Sequence, residues 1–131
     1  MLEPSHILIV DDDISIRRVL ALQLAHLGYK ADSATNGLEA LRLVHKWHYD
    51  LILMDVQMPH MNGLEATAAI RTYEESEGLD PSAIIGVTAG GATRKQCMDM
   101  GMSDYLQKPL LLETLSRVVN KWLATKKAQR K

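Results

Sequence analysis

Four short, mostly apolar runs in this chain each end in side chains that could do chemistry. Those side chains are aspartates, a threonine and a lysine: Asp11, Asp12, Asp13, Asp55, Thr88 and Lys108. Asp55 directly follows residues 51–54, and a carboxylate fixed at the end of a buried strand suits either a nucleophile or a metal ligand. If the four runs form parallel strands, their ends meet at one edge of a sheet, so we expect these groups to lie together.

Carboxylates held close together repel one another, so one of them would be protonated unless a cation neutralised the group. Mg²⁺ or Mn²⁺ suits such a cluster, because hard divalent ions prefer oxygen ligands and the sequence offers no paired His or Cys for a softer metal. Asp13 has a simpler interpretation: it immediately precedes a helix predicted to begin at Ile14 or Ser15, and would cap it. The ammonium group of Lys108 could bind a phosphoryl oxygen as a point charge, although a lysine at a strand end is usually only solvated.

Alternating strand and helix patterns predict how these groups are positioned. Uninterrupted aliphatic runs such as residues 7–10 are typical of parallel strands buried on both faces. We predict five strands, at residues 7–10, 29–33, 51–54, 84–87 and 104–107. Five βα units indicate an α/β fold with a doubly wound, five-stranded parallel sheet, whose ligand site lies outside the carboxyl ends of the strands.

Apolar residues at helical spacing follow the strands. The first helix should bury Ile16, Val19, Leu20, Leu24 and Leu27, and end at Gly28 in a left-handed conformation. A second helix should present Leu38, Leu41, Val44 and Trp47 on one face. Further helices are predicted at residues 63–73, 94–100 and 112–122, with a surface loop at residues 74–82.

Composition indicates one globular domain. The chain has 131 residues, 47% of them hydrophobic and 24% charged, and its formal net charge is -1. Nothing in this balance favours nucleic acid or membrane contact by this domain. The single cysteine, Cys97, excludes an internal disulfide and fits a reducing compartment. No apolar run is long enough to span a bilayer, and residues 1–6 lack a secretory signal, so we expect a cytoplasmic domain.

Four motifs in order carry a family resemblance. They are residues 7–13, 53–63, 87–89 and 104–109, and together they strongly resemble the receiver domain of two-component response regulators. The resemblance extends over residues 5–123 in the same order and spacing. It implies a flavodoxin-like (βα)5 fold with sheet order 2-1-3-4-5, a receiver domain at residues 5–124, and a basic C-terminal tail or linker at 125–131.

The resemblance also implies a reaction. Asp55 would accept a phosphoryl group from a phosphohistidine of a histidine kinase or a histidine phosphotransfer protein. Asp12, Asp55 and the backbone carbonyl of Gln57 would hold Mg²⁺ or Mn²⁺ directly, and Asp11 would act mainly through water. The domain would catalyse only its own phosphorylation and dephosphorylation, and would not be an enzyme acting on another substrate.

Two further groups of residues follow from the resemblance. Thr88, Lys108 and the amide of Ala89 would bind the phosphoryl oxygens. Thr88 and Tyr105 would form a switch that alters the face of the fourth helix, fifth strand and fifth helix, through which a homodimer or an output partner would bind. The pair at residues 90–91 would be either a hinge or simply a permissive loop.

Other functions fit the sequence less well. A phosphatase or hydrolase of the haloacid dehalogenase pattern needs a second aspartate two residues after Asp55, where Gln57 stands. A phosphorylation-independent interaction domain would not need the acidic cluster, and no glycine-rich phosphate loop follows the first strand. Residues 96–106 are similar to receivers of hybrid histidine kinases. This favours the cytoplasmic part of a membrane-bound hybrid kinase over a stand-alone regulator or a phosphorelay intermediate.

Overall fold

Strand and helix alternate along the whole part of the chain that the computed structural model describes, residues 6–59, 61–90 and 92–129. The strands are β1 (Ile7–Val10), β2 (Ala31–Ala34), β3 (Leu51–Asp55), β4 (Ala83–Thr88) and β5 (Asp104–Gln107). The helices are α1 (Ile14–His26), α2 (Gly37–Lys46), α3 (Gly63–Glu77), α4 (Arg94–Asp99) and α5 (Leu112–Gln129). All strand pairs are parallel and the order is β2-β1-β3-β4-β5, so the predicted fold is confirmed.

Alternate residues of the central strands point to opposite faces of the sheet and build two cores. One core packs beneath α2, α3 and α4, and its strand residues include Leu8, Val10, Ile52, Met54 and Ile84. The other packs beneath α1 and α5, and its strand residues include Ile7, Ile9, Leu51, Leu53 and Ile85. Burial on both faces explains why these strands are apolar without interruption.

The register of the sheet aligns the ends of the strands. Val10 of β1 pairs with Met54 of β3, so the residues that follow them, Asp11 and Asp55, emerge side by side. Thr88 of β4 pairs with Gln107 of β5, which places Lys108 one residue beyond this level. The candidate groups therefore share one edge because the strands are parallel and in step.

The predicted boundaries of strand β2 and helix α3 were wrong by two or more residues. Strand β2 covers Ala31–Ala34 and not 29–33. Helix α3 continues to Glu77, so residues 74–77 are helical and not loop. The carboxylate of Glu74 is buried, where it pairs with Arg71 and accepts a hydrogen bond from the backbone of Ser82. These contacts of Glu74 stabilise the last turn of α3. The acidic residues of that turn had led us to predict a surface loop.

The last helix extends farther than the sequence pattern suggested. Residues 125–129, which we predicted to belong to a tail or linker, continue α5. The buried Lys126 donates a hydrogen bond to the carbonyl of Pro81, in the connection before β4. The boundary at residue 124 stays a prediction, and residues 5, 130 and 131 lie outside the described residues.

Three residues predicted on buried helix faces are exposed by half or more: Val19 by 53%, Leu38 by 50% and Trp47 by 52%. Trp47 follows the last helical residue and has an extended backbone, so helical spacing no longer places its side chain. Gly28 has a φ of 92°, as predicted for a left-handed residue after α1. No helix in the described ranges is long and apolar enough to cross a bilayer.

Candidate functional site

Three carboxylates meet at the carboxyl edge of the sheet. One oxygen each of Asp11, Asp12 and Asp55 lies within 4.8 Å of the others. Asp11 and Asp55 are buried and Asp12 is exposed, so the cluster opens to solvent on one side. Within the ranges that the structure describes, it is the one group of three or more His, Cys, Asp or Glu side chains close enough to share an ion.

Lys108 lies against this cluster, as the sequence predicted. Its Nζ is 3.3 Å from Oδ2 of Asp11 and 3.3 Å from Oδ1 of Asp55. Its backbone N–H donates to the carbonyl of Thr88, which fixes the end of β5 against β4. Burial lowers the pKa of Lys108, but the charges of Asp55 and Asp11 outweigh that effect and hold the pKa above its ordinary value. The ammonium group therefore remains charged.

The environment of Asp55 disfavours its negative charge. Burial, followed by the charge of Asp11, raises the pKa of its carboxyl group from 3.8 to about 6. Lys108 and the backbone N–H of Gln57 act in the opposite direction without reversing it. A divalent cation would offset the repulsion between these carboxylates when all are ionised. Hard cations prefer oxygen ligands, so the donor set fits Mg²⁺ or Mn²⁺.

The loop between β1 and α1 separates two roles for its aspartates. The side chain of Asp13 accepts hydrogen bonds from the backbone of Ser15 at 2.8 Å and Ile16 at 3.4 Å, so it caps α1 as predicted. The backbone N–H of Asp13 in turn donates to Oδ1 of Asp11 at 2.9 Å. Asp12 lies between these two tied residues and presents its carboxylate to the cluster.

The loop between β3 and α3 fixes the backbone of Asp55. The N–H of Gly63 donates to the carbonyl of Val56 at 2.9 Å, and Asn62 caps α3 in a capping box with Glu65. A Cβ added to Gly63 would lie 2.2 Å from the carbonyl oxygen of Asp55. Sequence reasoning did not single out Gly63 for the site. The available signal was a glycine at the first position of the helix that comes after the candidate acceptor Asp55.

Thr88 and Ala89 lie at the same edge. Thr88 is fully buried at the end of β4, and its hydroxyl accepts a hydrogen bond from the N–H of Gly90 at 3.2 Å. Ala89 follows it and is exposed. Gly90 has a φ of 122°, which favours glycine. Gly91 lies outside the described residues, so the hinge stays a prediction.

Tyr105 joins β5 to the segment before α4. Its hydroxyl donates to the carbonyl of Ala92 at 3.1 Å, and its half-buried ring packs on the core beneath α4.

A neighbouring set of contacts, which the sequence did not reveal, centres on Asp104. Its carboxylate accepts a hydrogen bond from the indole N–H of Trp122 at 2.8 Å and pairs with Arg94 at 3.4 Å. Asp104 therefore ties β5 to both α4 and α5.

Sequence comparison connects this geometry to known proteins. A family model of the response regulator receiver domain matches residues 7–120. Hybrid signal transduction histidine kinase F of Dictyostelium discoideum is 42% identical over an alignment of 120 residues, and the match covers 89% of this chain and 11% of that protein. The chain thus spans about a tenth of the length of this curated relative.

Two solved structures extend the comparison. The receiver domain of sensor histidine kinase PA1611 from Pseudomonas aeruginosa PAO1, with magnesium coordinated in its active site cleft, has a TM-score of 0.82 and 33% identity, covering 93% of this chain and 99% of that one. The receiver domain of Ssk1 from Saccharomyces cerevisiae, in a co-crystal with the histidine phosphotransfer signaling protein Ypd1, has a TM-score of 0.89 and 28% identity, covering 96% and 93%.

Proposed function

This chain belongs to the response regulator receiver domain family of two-component systems, and from that premise we propose that Asp55 accepts a phosphoryl group from a phosphohistidine. The observation that carries the proposal is the position of the Asp55 carboxylate, buried at the end of β3, 3.3 Å from the ammonium of Lys108 and grouped with Asp11 and Asp12. Phosphoryl transfer depends on positioning and on neutralising charge, and this arrangement supports both.

The cluster is proposed to bind Mg²⁺, with Mn²⁺ as an alternative. Asp12, Asp55 and the backbone carbonyl of Gln57 would hold the ion, and Asp11 would act mainly through water. When bound, the ion would offset the charges of the carboxylates and of the phosphoryl oxygens. The raised pKa of Asp55 and the magnesium in the PA1611 receiver support this assignment.

In the proposed transfer, an ionised oxygen of Asp55 attacks the phosphorus atom of the phosphohistidine. The new P–O bond forms an acyl phosphate as the P–N bond breaks, and the electron pair of that bond returns to the imidazole nitrogen. Lys108, which stays charged beside Asp55, would bind one phosphoryl oxygen. The hydroxyl of Thr88 and the backbone N–H of Ala89 would bind the others.

The same residues would catalyse the loss of the group. Water would attack the phosphorus atom, the P–O bond to Asp55 would break, and inorganic phosphate would leave. In the phosphorylated state Thr88 would move toward the phosphoryl group, and Tyr105 would turn inward from its hydrogen bond with Ala92. This change would alter the surface of α4, β5 and α5, where a homodimer or an output partner would bind.

The donor would be a histidine kinase or a histidine phosphotransfer protein. The Ssk1 receiver crystallised with Ypd1, and the identity with a hybrid histidine kinase, support this class of partner. We place the chain within a hybrid kinase or a phosphorelay on the cytoplasmic side of the membrane. In that setting it would catalyse only its own phosphorylation and dephosphorylation.

A transfer assay tests the proposed partner chemistry. Histidine phosphotransfer domains carrying labelled phosphohistidine are mixed with the chain, with Mg²⁺ or with a chelator. We expect label to move to the wild type in Mg²⁺ and to be lost with the Asp55→Asn variant. Asp13→Asn is the matched control, because asparagine still caps α1 and the transfer should persist. Equal transfer to the Asp55→Asn variant would contradict the assignment.

A further inference from the structure

Arg17 contacts the acidic site from the first turns of α1. Its Nη1 donates a hydrogen bond of 2.7 Å to the backbone carbonyl of Asp11, and the side chain is partly buried. A hydrogen bond from a charged guanidinium is among the stronger kinds in proteins. The residue was not among the candidates identified from the sequence.

The position of this arginine in its helix is unusual. The amino-terminal end of a helix carries a partial positive charge that favours acidic residues and disfavours cations. After the capping Asp13, the first turn of α1 has no acidic residue, and Arg17 and Arg18 lie within the first five residues of the helix. The carboxylates of the site, just outside this helix end, supply a compensating negative charge. Asp13 and the site carboxylates therefore make this helix end favourable for a cation.

The contacts of Asp11 show what the arginine does. The backbone N–H of Asp11 donates to the carbonyl of Ala34 at 3.1 Å. The carboxylate of Asp11 accepts a hydrogen bond from the N–H of Asp13 at 2.9 Å and lies 3.3 Å from the ammonium of Lys108. The carbonyl, which leads into the peptide bond of Asp12, is the group that Arg17 binds. The peptide plane between Asp11 and Asp12 is therefore set by Arg17.

We propose that Arg17 is a positioning residue that fixes the peptide between Asp11 and Asp12, and so aims the exposed carboxylate of Asp12 at the divalent cation. The inference rests on the proposed function, because it assigns a role toward the ion of that same site. Partners that orient metal ligands are commonly worth a large factor in metal affinity, although they never touch the ion.

Mg²⁺ titration by calorimetry measures the effect directly on the ion-free chain. Arg17→Met keeps an unbranched apolar stem and removes the guanidinium donor, and we expect it to raise the Kd for Mg²⁺ about tenfold. Arg18→Met is the matched control: Arg18 is the adjacent, exposed arginine, and its removal takes away the same charge, so its Kd should change less than about twofold. Arg17→Lys, which keeps the charge and one donor, should recover part of the affinity.

A purely electrostatic role gives the opposite sign. Removing a cation beside three carboxylates would then tighten Mg²⁺ binding, and a lowered Kd for the Arg17→Met variant would overturn the proposal. Equal changes for Arg17→Met and Arg18→Met would overturn it as well. Melting temperatures show whether Arg17→Met is folded. If it is not, the Arg17→Lys variant decides, and a Kd for Mg²⁺ equal to that of the wild type would overturn the proposal.

Phosphorylation separates this inference from the proposed function. At low Mg²⁺ the Arg17→Met variant should be phosphorylated more slowly than wild type, and at saturating Mg²⁺ the rates should converge, because the change acts on binding of the ion. A rate that stays low at saturating Mg²⁺ would contradict the positioning role. If the wild type binds Mg²⁺ with the predicted dependence on Arg17 but Asp55 is never phosphorylated, the proposed function fails and the inference about Arg17 stands.

Discussion

At the scale of single residues, the site is a compromise between charge and burial. Asp55 and Asp11 are both buried, yet one ammonium, that of Lys108, is shared between them at 3.3 Å each. The third carboxylate, Asp12, adds negative charge to the same group. Binding of the proposed cation would offset this repulsion and so would stabilise the folded state.

The raised pKa of Asp55 predicts an unusual pH dependence. A carboxyl group whose folded-state pKa is about 6, against an ordinary 3.8, binds its proton more tightly when folded, so its contribution to stability is lost as pH rises through that interval. Without divalent ions, the wild type should therefore lose on the order of 2 kcal/mol relative to Asp55→Asn between about pH 4 and pH 7.

Denaturant unfolding of both proteins in a chelator, at several pH values, measures this difference. The comparison isolates Asp55 because every other titrating group is common to the two proteins. Adding Mg²⁺ at neutral pH should stabilise the wild type and leave Asp55→Asn much less affected. Parallel pH profiles for the two proteins would show that Asp55 is not the strained group.

At the scale of elements, the carboxyl end of β3 packs closely against the start of α3. Gly63 begins α3, and its Cα approaches the backbone of Asp55 so closely that a side chain would collide with it. An alanine there should favour the helix by about 1 kcal/mol on intrinsic propensity alone. The collision acts in the opposite direction, and we expect it to dominate.

Gly63→Ala should lower the free energy of unfolding by about 1–3 kcal/mol, the usual cost of overpacking, and should also weaken Mg²⁺ binding because Asp55 must shift. Chemical denaturation and Mg²⁺ titration measure the two effects. Ser76→Ala, at an exposed position of the same helix, is the control and should change neither by much. Unchanged Mg²⁺ affinity in a folded Gly63→Ala protein would show that this contact does not position Asp55.

The hydrogen bond from Trp122 of α5 to Asp104 of β5 leads to a second prediction at this scale. Burial raises the pKa of Asp104, but the indole of Trp122, the backbone of Tyr105 and the cations Arg94 and Lys121 outweigh it, so the pKa is lowered. Trp122→Phe leaves this buried carboxylate without one donor and should cost about 1–3 kcal/mol at neutral pH.

The sign of the Asp104 shift gives the pH test. A lowered pKa contributes stability above the ordinary carboxyl pKa, and the contribution is lost as pH falls through the folded-state value. The difference between wild type and Trp122→Phe should therefore shrink in acid. A difference that is constant with pH would mean that lost ring packing, and not the hydrogen bond to Asp104, accounts for it.

The sequence predicted the elements well where hydrophobic pattern and burial agree. The aliphatic runs at β1, β3 and β4 matched the pattern of central parallel strands, and the shared direction of β3, β4 and β5 brought Asp55, Thr88 and Lys108 to one edge. The pattern failed where polar residues are buried by specific partners, as with Glu74 in α3. It also could not reveal Arg17 or Asp104, because their contacts join residues through side-chain geometry that no periodicity encodes.

At the scale of the whole molecule, the end of the last helix packs at the amino-terminal edge of the sheet, opposite the edge that carries the site. Lys126 is buried and donates to the carbonyl of Pro81, so the residues after 124 take part in the fold. A chain ending at residue 124 should lose about 1–2 kcal/mol of stability, since a buried hydrogen bond and the final helical turn are removed. A chain ending at residue 129 is the control and should match the full chain. Equal stability of all three would support a tail that begins at residue 125.

Phosphorylation by a small phosphodonor tests the role of Asp55 as phosphoacceptor without any partner protein. The chain is incubated with phosphoramidate with and without Mg²⁺, and the modified residue is mapped by mass spectrometry. We expect one phosphoryl group on Asp55 that depends on Mg²⁺ and is absent from Asp55→Asn. Modification on another residue, or incorporation that a chelator does not reduce, would contradict this role.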